Sequence, residues 1–124
     1  MDSVEIQNKI DELYYWDSWV KELSCNYFAD EVKLVYDDDE YDVIYNFTGC
    51  YNVEFNHEIG HTKEKPIREC KFNQLAYSMQ SVKVTIVVIE EKEFYEFKIN
   101  INPLELKIVC KDIKIEQIPK KGDS

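Results

Sequence analysis

Glycine and proline are scarce, three of each in 124 residues, which excludes collagen-like, linker-rich and low-complexity chains. Long apolar runs are missing too: no stretch approaches the ~18 consecutive apolar residues that a membrane helix needs. The opening Met1-Asp2-Ser3-Val4-Glu5 is acidic and lacks the basic-then-apolar layout of a secretory signal, so the expected location is the cytoplasm. Four cysteines, Cys25, Cys50, Cys70 and Cys110, stand at least 20 residues apart. Without a C-x-x-C pair they encode neither a zinc ribbon nor a thioredoxin motif, and in a cytosolic chain they are expected to be reduced. Cys25 and Cys110 fall in phase with apolar alternation, the place of small core residues. Basic charge is also short, with 15 Lys and Arg against 25 Asp and Glu, a net charge of −10. Such a field repels phosphate backbones and anionic lipid, which argues against nucleic-acid and membrane partners and for a basic protein partner. No G-x-S-x-G, P-loop or Rossmann glycine pattern occurs.

What is present is a chain that is 44% hydrophobic and 14% aromatic. The length suits one domain, residues 1–124, with a polar, disordered tail over 119–124. Ile6, Ile10 and Leu13 follow helical spacing, with Tyr14 widening the stripe and Asp2 or Ser3 as N-cap. After Trp16-Asp17-Ser18 the period changes to two. Trp19, Leu23, Cys25 and Tyr27 share one strand face, and Val32, Leu34 and Tyr36 the next. A long strand from Tyr41 towards Phe55 is interrupted at Gly49, where a bulge or sharp bend is expected. Residues 56–66 form a polar crossover. Phe72, Leu75, Ala76 and Met79 then predict a helix over 67–79.

Three further strands follow. Val82 to Ile89 is apolar on both faces, the pattern of a central strand. Tyr95 to Ile101 alternates, as does Leu104 to Cys110, after which the phase slips at Lys111-Asp112. The fold class expected is α+β: a curled antiparallel β-meander of about six strands with two short helices, N-terminal and central.

Two stretches are candidates for function. The first is the aromatic run Tyr14-Tyr15-Trp16-Asp17-Ser18-Trp19. Consecutive aromatics cannot all face one core, so some reach the surface, where Tyr and Trp beside acids make binding hot spots. The acidic run Asp37-Asp38-Asp39-Glu40 lacks the spacing and glycine of an EF-hand loop and reads as a hairpin tip. Tyr15, Trp16, Asp37, Asp38 and Asp39 are the expected partner contacts. The second is His57-Glu58-Ile59-Gly60-His61, which matches H-E-x-x-H. Read literally, His57 and His61 hold zinc and Glu58 is the general base of a metallohydrolase. That chemistry needs a helix to bring the two imidazoles together. Here a strand precedes the motif, Gly60 sits inside it and Pro66 follows.

Several short motifs also carry a resemblance. Trp16-Asp17-Ser18, Phe47-Thr48-Gly49, Phe72-Asn73-Gln74-Leu75-Ala76-Tyr77 and Cys110-Lys111-Asp112 together resemble small bacterial proteins grouped with the immunity proteins of polymorphic toxin systems. The resemblance implies an acidic, cytosolic, non-catalytic protein that plugs a cognate toxin, often a basic nuclease. The histidine motif has no place in that pattern. Two readings therefore stand: a protein-binding module without cofactor, monomeric or homodimeric, and a minimal zinc hydrolase. A housekeeping domain is a third.

Overall fold

The computed structural model describes residues 2–57, 77–101 and 103–120. Helix α1 (Ser3–Glu12) starts where the side chain of Asp2 accepts the N–H of Glu5 at 2.8 Å. Ten residues are too few for a stable helix in water, so tertiary burial must hold it. Ile6 and Ile10 supply that burial, both sealed from solvent, at roughly 1.5–3 kcal/mol each. Six strands follow: β1 (Val20–Asn26), β2 (Glu31–Asp38), β3 (Tyr41–His57), β4 (Ser81–Ile89), β5 (Lys92–Ile101) and β6 (Leu104–Pro119). All neighbouring pairs are antiparallel, in the order β1-β2-β3-β6-β5-β4.

This is not one continuous meander. Two three-stranded meanders are joined along β3 and β6, the two longest strands. The bend expected at Gly49 is present: Gly49 has φ +63°, and the register between β3 and β6 slips between Cys50 and Asn52. A Cβ on Gly49 would lie 3.0 Å from the Cβ of Lys111, so the close approach of the strands also asks for glycine. The phase slip at Lys111-Asp112 is the partner side of this bulge, and β6 runs through it unbroken.

The sheet curls until its two edges meet at one corner. Asp17 N–H donates to Met79 C=O at 2.8 Å, Met79 N–H to Ser18 C=O at 2.8 Å, and Val20 N–H to Tyr77 C=O at 2.9 Å. These bonds join the lead-in to β1 with the lead-in to β4. They also correct the expected central helix, because Tyr77, Ser78 and Met79 are extended rather than helical. Among the described residues there is one helix, not two; positions 67–76 lie outside them. No described helix is long and apolar enough to cross a membrane.

Other expectations shift with the topology. β4 is an edge strand, not a central one. Its inner face meets the core and α1 at Val82 and Val84, then opens to solvent at Ile86 and Val88, while Lys83, Thr85, Val87 and Ile89 on the other face are exposed or half-buried. Cys110 is buried as expected, but Cys25 is exposed: it keeps the face of Leu23 and pairs with buried Val32, yet it stands one residue from the end of the edge strand β1. The C-terminal strand extends to Pro119, and Lys120 N–H donates to Glu40 C=O at 3.0 Å; the rest of the expected tail, positions 121–124, lies outside the described residues.

The core lies between α1 and the inner face of the sheet. Its spine is aromatic: Tyr36, Tyr45, Phe47 and Phe97 meet edge to face, with successive ring centroids 5.6, 6.2 and 4.8 Å apart. The hydroxyls of Tyr36 and Tyr45 are shut off from water, with no partner among the described residues beyond each other. Burial pushes the Tyr36 phenol from 10.0 up to about 12, and pushes Tyr45 higher still. Burial likewise pushes the thiol of Cys110 from 9.0 up to about 12 and that of Cys50 from 9.0 up to about 11. All four folded values lie above the unfolded ones. The stability they contribute is therefore whole below about pH 9 and is lost as pH climbs towards about 12. The melting temperature should hold level near neutrality and fall across that alkaline window, and Tyr36→Phe should make the fall shallower. A slope unchanged by Tyr36→Phe would assign the alkaline loss to other groups.

Candidate functional site

The segment between α1 and β1 decides which aromatic faces where. The helix ends at Glu12, and Tyr14 takes φ +43°, which breaks the helical register. Tyr14, placed in the core by helical spacing, turns out to solvent instead, and Tyr15 turns in. The Tyr15 ring is only 3% exposed. Its hydroxyl accepts the N–H of Val82 at 3.1 Å, and burial holds its phenol above the ordinary value. Gln7 completes this seal on the β4 edge. Its amide donates to Val82 C=O at 2.9 Å and accepts from Val84 N–H at 2.9 Å, pairing with the strand as another strand would.

Tyr15 also carries the next residue outward. Trp16 stacks on it with ring centroids 4.2 Å apart and 21° between planes. The Trp16 ring remains 40% exposed, and Tyr14 lies against it at 5.3 Å. Asp17, at φ +63°, then reverses the chain into the backbone bonds with Met79. The result is a buried tyrosine serving as a base for an exposed tryptophan.

The acidic hairpin tip comes to the same place. Asp37 and Asp38 end β2, Asp39 and Glu40 form the turn, and the N–H of Asp37 donates to Trp19 C=O at 2.8 Å. That bond places the tip beside the aromatic run. A shallow concavity of about 310 Å³ opens between them, lined by Tyr14, Trp16, Asp17, Trp19 and the Asp37–Asp39 run. Lys120 forms an ion pair with Asp37 on one flank, and Lys21 pairs with Asp42 at 3.0 Å on another. Asp38 and Asp39 carry no ion pair among the described residues.

Of the five expected contacts, Trp16, Asp37, Asp38 and Asp39 thus line one surface. Tyr15 stands behind it as support. Tyr14, Asp17 and Trp19 join the surface; all three were within the aromatic and acidic run, but only the turn geometry tells which faces out.

The histidine motif is described only in part. His57 ends β3 in an exposed position and its Nε2 contacts the hydroxyl of Tyr77. Glu58 and His61 lie outside the described residues. Among the described residues no three His, Cys, Asp or Glu side chains are grouped to hold a metal ion.

A family model described as immunity protein PIM7 matches residues 2–117, nearly the whole chain. Comparison with curated proteins found no match.

The division of labour between neighbouring aromatics is testable. Tyr15→Phe leaves the Val82 N–H without its acceptor and should cost about 1–3 kcal/mol of unfolding free energy in urea titration. Trp16→Ala removes a ring already in contact with solvent and should cost less. The reverse order would contradict the support role of Tyr15.

Proposed function

The chain belongs to the PIM7 family of immunity proteins, and we propose that it neutralises a toxin by binding it through the acidic and aromatic concavity between the α1–β1 segment and the tip of the β2–β3 hairpin. An immunity protein acts by binding a partner protein, and it needs no catalytic group of its own. The carrying observation is the Asp37 N–H to Trp19 C=O bond, which brings two stretches distant in sequence onto one surface.

The chemistry of that surface suits a basic toxin domain. Trp16, Tyr14 and Trp19 offer large, half-exposed rings at low entropic cost, the residue types that dominate interface energetics. Asp38 and Asp39, without an ion pair among the described residues, add negative charge on a chain of net charge −10. Charge of this kind accelerates encounter with a positive partner, while buried aromatics slow dissociation. We place the encounter in the cytoplasm, where such a chain would shield its own cell.

The two contributions separate kinetically. Asp38→Lys with Asp39→Lys should slow association with the cognate toxin domain by about tenfold or more at low salt and flatten its salt dependence. Trp16→Ala should leave association nearly unchanged and speed dissociation by about tenfold or more. Surface plasmon resonance reads both rates. Wild-type rates in both variants would overturn this placement of the binding surface.

A further inference from the structure

The turn between β1 and β2 is built from residues that its backbone does not favour. Asn26 and Glu31 pair across its base, and Asp30 N–H donates to Tyr27 C=O at 3.1 Å. Within it three consecutive residues have positive φ: Tyr27 at +52°, Phe28 at +56° and Ala29 at +70°. Glycine, asparagine and aspartate adopt this conformation readily; residues with larger side chains resist it, because Cβ crowds the following carbonyl oxygen. Packing does not compensate. Phe28 is as exposed as in an open chain, at 108%, and Tyr27 is 72% exposed. Two aromatic rings therefore stand on a strained turn, Phe28 burying nothing of its own fold and Tyr27 little. Strain of this kind persists where a function uses it.

Charge narrows what the rings can meet. Asp30 and Glu31 follow them directly, and the chain carries −10 overall. An anionic bilayer and a second copy of the chain are both repelled. We infer that Phe28, with Tyr27 beside it, is an aromatic anchor held out on the β1–β2 turn to fill an apolar pocket with a basic rim on the partner protein. The inference rests on the reading that the chain binds a protein partner, but it concerns a different surface. The eight residues of β2 separate this turn from the acidic tip by about 25 Å. A standard interface of about 800 Å² per partner is roughly 30 Å across, so one partner can reach both.

The test uses Phe28→Gly and Phe28→Asn, two residues that accept positive φ, with the Asp38→Lys, Asp39→Lys pair as comparison. The probe is purified, catalytically inactivated cognate toxin domain, titrated calorimetrically. Both Phe28 variants should melt at or above the wild-type temperature and bind the toxin domain about tenfold or more weaker. A lowered melting temperature would mean that Phe28 holds the fold, and wild-type affinity would mean that it anchors nothing; either overturns the anchor. Weaker binding by the aspartate pair alone leaves the acidic surface standing and removes the anchor. Weaker binding by the Phe28 variants alone does the opposite. Phe28-dependent self-association, or Phe28-dependent binding to phosphatidylserine vesicles, would replace the partner pocket with one of those occupants.

Discussion

An open β-sheet has two edges whose backbone groups need partners, and the way this chain closes them governs the rest of the molecule. At one corner the lead-ins to β1 and β4 bond directly to each other through Asp17, Ser18, Val20, Tyr77 and Met79. Next to it, Gln7 and Tyr15 satisfy Val82 and Val84 on the β4 edge with side chains in place of a seventh strand. The closure presses α1 onto the inner face, so Ile6 and Ile10 complete a core that the sheet alone would leave open. It also fixes the path of residues 14–19. Tyr15 must point inward to reach Val82, which leaves Tyr14 and Trp16 outside. The candidate surface is thus a consequence of how the edges are sealed.

Alternation of apolar residues made the strands legible, and six were expected and found. Asp2 as N-cap and the Ile6, Ile10 stripe likewise announce α1. Gly49 announced the bulge, because few other residues serve at positive φ where a neighbouring strand approaches this closely. Strand order was not legible. The run from Val82 to Ile89 reads as the doubly buried pattern of a central strand, yet only Val82 and Val84 are buried, because β4 stands at the sheet edge and α1 covers only its first half. Gln7 was silent for a related reason: a polar residue on a helix normally faces water, and its use as a strand mimic depends on the position of β4.

The candidate surface was legible in composition but not in orientation. Aromatic and acidic runs stand out in the sequence, and the structure brings them together. Which of three consecutive aromatics supports and which presents depends on a single backbone reversal at Tyr14. The Tyr27-Phe28-Ala29 turn was harder still. In sequence Tyr27 looks like the end of a strand and Ala29 like the start of a turn, and only backbone conformation and exposure mark Tyr27 and Phe28 as unusual. Side chains that cost stability where they stand carry information that hydrophobic patterning does not.

The most direct test of the account is hydrogen–deuterium exchange of the chain alone and in complex with its toxin domain. Binding at the closed corner predicts slowed exchange at the amides of Trp16 to Trp19 and Asp37 to Glu40. Unchanged exchange there, with protection confined to the outer faces of β3, β5 and β6, would place the interface elsewhere and contradict the account.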